Sequence, residues 1–164
     1  MALLNVGDQF PAHNSTAVIG GHLSKVDAQR PDEIDAFGKL NDEFADRNTQ
    51  VLGASIDNEF VHFQWRAQHE DLKPLPFPMR SNLARELATA AGVLNADGVA
   101  DRATFIVDHD NEVQFVSVTA GSVGRRIDEV LRVLDALQSD QRCACNWENG
   151  DPTISPGKRL SASV

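Results

Sequence analysis

The period of the apolar residues changes repeatedly along this chain, and that alternation limits what it can fold into. Ile34, Phe37, Leu40 and Phe44 recur at helical spacing, which predicts a helix from Pro31 to about Arg47. Pro31 suits a first helical position, and Asp32 and Glu33 suit the positive end of the helix dipole. Val51 to Asp57 then reads as a buried strand, and Glu59 to Leu72 as a helix carrying Phe60, Phe63 and Trp65. Pro74, Pro76 and Pro78 forbid regular structure and lead into a short strand near Met79. Leu83 to Ala91 has helix-forming composition and stops at Gly92. Ala103–Val107 and Val113–Thr119 are β-rich runs joined by Asp108-His109-Asp110-Asn111, a hairpin signature. Ile127, Val130, Leu131, Leu134 and Leu137 make an amphipathic last helix with Asp128 and Glu129 in its first turn. The stretch before Pro31 is rich in Gly, Ser, Thr and Asp, with short apolar pieces such as Thr16-Ala17-Val18-Ile19, and reads as a hairpin or loop; after Ser139 the tail is irregular. Helices and strands interleaved in this way predict a mixed α/β layer structure.

At 164 residues the chain is one domain's worth, enough to bury roughly two-thirds of its unfolded surface. A formal charge of −9 and the lack of any basic run exclude a phosphate-binding surface, so no nucleic-acid partner is expected. No window approaches the ~20 apolar residues of a membrane span. Met1 to Phe10 has neither a charged leader nor a long apolar stretch, so a soluble, cytoplasmic protein without a membrane partner is expected.

The two cysteines, Cys143 and Cys145, stand one residue apart in the polar tail. Free thiols more often pack into cores, so this placement favours thiol exchange with something outside the domain. In a reducing compartment such a pair is catalytic, redox-sensing or inert rather than a permanent staple. Arg102 opens a strand of buried composition, and a buried guanidinium either joins a structural ion pair or faces a site. Glu33 and Arg125 read, on the residues alone, as helix-terminus or surface charges. Phe60, Phe63, Trp65 and Phe77 either line a pocket or fill the core. The five histidines are scattered, and Asp108, Asp110 and Glu112 lack the glycine and twelfth-position glutamate of a calcium loop, so no metal is expected.

Longer stretches carry a resemblance. Cys143 followed by Trp147, Gly150, Thr153-Ile154 and Pro156 resembles the resolving-cysteine tail of typical 2-Cys peroxiredoxins. Gly7-Asp8-Gln9-Phe10-Pro11 is similar to the family's opening, Phe37 to Phe44 to its first long helix, and Asp101 to Asp108 to its active-site arginine strand. Val123-Gly124-Arg125 followed by Asp128-Glu129 is similar to the approach to its last core helix. With a further cysteine, Cys145, after the resolving one, the chain most resembles the actinobacterial alkyl hydroperoxide reductase branch of that family.

The resemblance implies a thioredoxin-like (peroxiredoxin) fold, a mixed sheet flanked by helices, with residues 1–139 as the core and 140–164 as the resolving tail. It implies a thiol peroxidase acting on hydrogen peroxide and alkyl hydroperoxides without metal or cofactor. A thiolate is oxidised to sulfenic acid and condenses with Cys143 of a partner subunit, and a thioredoxin-like or alkyl hydroperoxide reductase-type reductant cleaves the disulfide. Arg102 would hold the thiolate, Glu33 and Arg125 would orient Arg102, and Cys145 would either relay the disulfide or be a spare thiol. Subunits would pair through the Val113–Thr119 edge, and the dimers would pack into rings.

One part of the family pattern has no counterpart. The Pro-x-x-x-Thr-x-x-Cys loop with the peroxide-attacking cysteine, and the internal strand before it, are missing near residues 28–32, and Arg30 stands where that cysteine would be if Pro31 opens the helix. The expected fold therefore lacks one internal strand, whose loss would leave two rows of backbone groups unpaired. Two readings follow: a peroxiredoxin rendered inactive by an internal gap, or a non-catalytic thioredoxin-like module that acts on a redox partner through Cys143 and Cys145.

Overall fold

The computed structural model describes residues 2–11, 22–27 and 31–154. Within them a five-stranded sheet has the order β3-β2-β1-β4-β5. Its strands are β1 (His22–Asp27), β2 (Thr49–Ser55), β3 (Met79–Ser81), β4 (Arg102–Val107) and β5 (Val113–Thr119). β1, β2 and β3 run parallel, while β4 is antiparallel to β1 and β5 antiparallel to β4. The helices are α1 (Pro31–Lys39), α2 (Asn41–Asp46), α3 (Glu59–Gln68), α4 (Glu86–Ala90) and α5 (Ile127–Gln138). This is the mixed sheet with flanking helices expected of a thioredoxin-like chain with a truncated sheet.

The backbone consequence expected of that truncation does not follow. β1 fills the interior position, pairing with β2 from His22↔Thr49 to Asp27↔Ala54 and with β4 from Leu23↔Val107 to Val26↔Thr104. Both rows of donors and acceptors that a missing strand would have left open are therefore met by the segment just upstream of the gap. Interior strands of covered sheets are usually near-continuous apolar runs, whereas His22-Leu23-Ser24-Lys25-Val26-Asp27 has two apolar residues. Backbone pairing, rather than composition, makes it a strand. The Thr16–Ile19 part of the expected hairpin lies outside the described residues.

Two apolar clusters cover the sheet. One gathers Ile34 and Phe37 of α1, Phe44 of α2, Val51, Ile106, and Ile127, Val130 and Leu134 of α5. The other gathers Phe10, Leu87 and Ala88 of α4, and Ala103, Phe105, Val107 and Val113. Alternation along β4 thus sends Phe105 to one face and Ile106 to the other, as the two-residue period requires. Phe10 meets Phe105 edge-on at 5.4 Å, and Phe37 stacks on Phe44 at 5.8 Å.

Several expected boundaries move. The first helix breaks at Leu40 into α1 and α2, and Arg47, just beyond α2, ties it to α5 through Asp135 at 2.6 Å. α3 stops at Gln68 because His69 is extended, and Glu70–Leu72 form a separate 3-10 turn. Asn58 caps α3, its side-chain oxygen accepting from the Val61 amide at 2.9 Å. α4 is shorter than its composition suggests because Arg85 before it is left-handed, with φ 59°. In the β4–β5 turn the Asp108 carboxylate accepts the amides of Asp110 and Glu112, a polar hairpin turn rather than an ion loop.

Candidate active site

β4 runs against β1 and β2, so its first residue, Arg102, lies beyond the carboxyl ends of the parallel strands, where sheets of this kind bind ligands. α1 starts at the same end and carries Glu33 in its first turn. The loop between β5 and α5 delivers Arg125 just before that helix. Glu33 is the hub. Its Oε1 accepts the Arg125 backbone amide at 2.9 Å, its Oε2 accepts Arg125 Nη2 at 2.9 Å, and Arg102 Nε lies 3.9 Å from Oε2.

The surroundings fix both guanidinium groups. Arg102 Nη1 donates to the Val123 carbonyl at 2.9 Å, and Arg125 Nη1 donates to the Ala103 carbonyl at 3.1 Å. The Arg125 guanidinium also sits 6.0 Å from the Phe37 ring centre, within cation–π range. Side-chain exposure is 11 % for Arg102, 6 % for Glu33 and 4 % for Arg125. Arg102 and Arg125 set two largely covered guanidinium groups beside the Glu33 carboxylate at the head of α1, and a cation next to a thiol lowers the thiol's pKa. The structure therefore brings Glu33, Arg102 and Arg125 together on one face of the sheet.

It does not bring the cysteines to them. Cys143 lies just past the carboxyl end of α5, with its Sγ 3.6 Å from Ser139 Oγ and 3.7 Å from the Gln141 carbonyl. Cys145 is exposed, and both thiols are free. Arg125 is at the other end of that twelve-residue helix, about 18 Å away along its axis.

Two expectations about side chains change. Phe60 and Phe63, read as pocket or core, are 72 % and 68 % exposed, whereas Trp65 packs against the larger apolar cluster and Phe77 is buried. The buried residue of α3 is His62, which the sequence reading weighed only as a metal ligand and set aside. Its Nε2 is 2.7 Å from Ser55 Oγ, and Ser55 donates to Asp57 Oδ2 at 2.8 Å. With the serine proton committed to Asp57, His62 donates from Nε2, and Nδ1 has no hydrogen-bond partner among the described residues. Burial accordingly lowers the His62 pKa, against the pull of the Asp57 carboxylate. Ser55 is itself buried, so the trio is structural rather than a nucleophile and its base. No sequence signal marked it, because seven residues and a turn separate Ser55 from His62.

The mixed five-stranded sheet with flanking helices is the thioredoxin-like fold of the peroxiredoxin class. Comparisons with known proteins agree. Residues 28–116 match the AhpC/TSA family. The chain is 63 % identical to the alkyl hydroperoxide reductase C of Mycolicibacterium smegmatis over 195 aligned positions spanning all of both chains. Among solved structures, AhpC of Mycobacterium bovis superposes with a TM-score of 0.80 at 55 % identity, covering 90 % of this chain and 100 % of that one. A reduced 2-Cys peroxiredoxin of Plasmodium vivax gives 0.79 at 27 % identity, covering 83 % and 77 %. The chain belongs to the AhpC/TSA family. The 195 positions aligned with the Mycolicibacterium relative exceed the 164 residues here by 31, and since that alignment includes both ends of both chains, the shortfall is internal.

Proposed function

We propose that this chain is a peroxiredoxin that keeps the arginine–carboxylate centre and the resolving tail but does not itself turn over hydrogen peroxide or alkyl hydroperoxides. The observation that carries this reading is the separation of charge from sulfur. Glu33, Arg102 and Arg125 converge at the start of α1, while both cysteines of the chain stand at the far end of α5. A thiol peroxidase needs the thiolate within reach of the group that stabilises it and polarises the peroxide. The internal shortfall of 31 positions fits a missing segment near residues 28–32 that would have carried that thiol. The test is peroxide consumption by the purified chain with a thioredoxin-type reductant. No turnover above background is expected, and turnover abolished by Cys143→Ser would refute the reading.

A second reading rests on the tail. Cys143 and Cys145 are free thiols beyond the far end of α5 from the arginine–carboxylate centre, an arrangement suited to exchange with a sulfur on another molecule, either a complete peroxiredoxin or its thioredoxin-like or alkyl hydroperoxide reductase-type reductant. The core, residues 1–139, would then act as a platform for the tail, residues 140–164, in a cytoplasmic setting that keeps thiols reduced. Assembly follows from the same logic. β5 is an edge strand, and pairing two copies along Val113–Thr119 would give at least a dimer and, through further contacts, a ring. Light scattering that finds a folded monomer at micromolar concentration would exclude this assembly.

A further inference from the structure

The face of the sheet away from the arginine–carboxylate centre holds a cavity of ≈ 40 Å³ between α4 and the strands. Alternation along β4 separates the two sites. Ala103 and Phe105 line the cavity, whereas Arg102 approaches Glu33 and Thr104 Oγ1 stands 3.5 Å from Arg125 Nη1, on the other face. Small residues create the space. Ala54, Ala88, Ala91, Ala100 and Ala103 all line it, and a methyl side chain leaves unfilled the volume that a leucine or valine occupies. Phe10 and Phe105, packed edge-on at 5.4 Å, form one wall.

The polar residues of the lining are already engaged in the fold. The Ser55 carbonyl accepts the Asn82 amide at 2.7 Å, and Asn82 Oδ1 accepts the Leu87 amide at 3.1 Å at the start of α4. Asp101 donates its amide to the Val93 carbonyl at 2.7 Å and accepts Asn95 Nδ2 at 3.2 Å. Asn82 is half-buried and Asp101 exposed, which places the mouth of the cavity beside them. A water held inside a protein needs about two to four polar partners, and methyl groups and rings supply none, so this lining favours hydrocarbon. One water-sized sphere takes roughly 10–15 Å³, and about three of them fit here, the size of a three-carbon chain. We propose that the cavity is a binding site for short unbranched aliphatic compounds, which insert about three carbons and leave their polar end at the mouth beside Asn82 and Asp101. The site faces away from Arg102, so its ligand is not a peroxide presented to that residue. Such a ligand binds the folded chain alone and stabilises it, whether or not the chain turns over peroxide.

The test is an NMR titration of the full chain, labelled at its alanine methyls, with ethanol, 1-propanol, 1-butanol and 1-hexanol. Saturable shifts are expected at the methyls of Ala88, Ala91 and Ala103. Burying one methylene tightens binding about fourfold, so the dissociation constant should fall by about that factor for each added carbon while the chain still fits, and level off before 1-hexanol. Ala88→Leu fills the cavity from α4 and is expected to weaken 1-propanol binding about tenfold or more. Phe60→Ser removes an exposed ring of α3, the rival apolar contact, and is expected to leave binding unchanged. The site is overturned by the absence of saturable shifts at those methyls, or by Ala88→Leu binding 1-propanol as the parent does. Affinity that keeps climbing through 1-hexanol, or that is lost in Phe60→Ser, overturns it too, since either marks adsorption to the surface. Should Ala88→Leu not fold, Ala103→Val takes its place, and a dissociation constant equal to the parent's overturns the site.

Discussion

Glu33 and Arg125 are 92 residues apart in sequence, yet one carboxylate takes both the backbone amide and the guanidinium of the same arginine, each at 2.9 Å. That clasp joins the first turn of α1 to the residue before the cap of α5. Pairing of β1 between β2 and β4 holds the helix start where Glu33 still reaches both arginines.

Removing the carboxylate should therefore be costly. Glu33→Gln strips the counter-charge from buried guanidinium groups, and breaking one side of a buried pair costs about 3–5 kcal/mol. Urea denaturation should show a loss in that range, and a loss below about 1 kcal/mol would mean that the clasp contributes little.

Installing a thiol at the head of α1 tests the chemistry directly. Arg30 immediately precedes Pro31, the first residue of α1. Arg30→Cys should give measurable peroxide consumption with a thioredoxin-type reductant, and adding Arg102→Ala should lower it by about a hundredfold or more, as expected for loss of an electrostatic stabiliser. Equal activity in the single and double variants would separate Arg102 from peroxide chemistry.

His62 makes stability depend on pH. In the unfolded chain it takes up a proton near its ordinary 6.5, and in the folded chain at lower pH, with burial as the main cause. The unfolded state thus binds more protons below that value, so stability is complete above pH 6.5 and falls as the pH drops from there toward the lowered pKa of the folded state. Urea midpoints between pH 7.5 and 5 should decline in the parent more steeply than in His62→Asn. Parallel slopes would remove His62 from the account.

The two faces of α3 and α1 should respond oppositely to mutation. Phe60→Ser and Phe63→Ser change exposed side chains and should move stability by no more than about 0.5 kcal/mol. Phe37→Ala opens the core beneath Arg125 and should cost about 3–5 kcal/mol. A large loss from the α3 serines would show that those rings are covered in solution, and light scattering on the same variants would identify a second copy as the cover.

Legibility in the sequence followed how locally each feature was encoded. β4, β5 and α5 could be read because two-residue and helical periods lie in contiguous residues with clear turn signals between them. The break at Leu40 could not, since Leu40 continues the helical period and the interruption shows only in the backbone. Six residues with two apolar positions hid β1, whose strand character comes from two neighbours of distant sequence. At the site, Arg102 announced itself as a charge opening a buried strand, but Glu33 and Arg125 looked like ordinary charges, and the family likeness singled them out. His62 escaped both routes, because neither period nor family motif marks a histidine whose partners arrive across a loop.

The interior place of β1 also divides the sheet mechanically. β3 and β2 form a parallel half, β4 and β5 an antiparallel half, and β1 is the strand through which the two are hydrogen-bonded. Every sheet hydrogen bond that links the halves is made by these six residues, and the rest of the coupling comes from the apolar cluster that joins Val51 of β2 to Ile106 of β4. The sheet is two plates joined along one rivet line, and a load that pulls them apart will find its seam there, along β1.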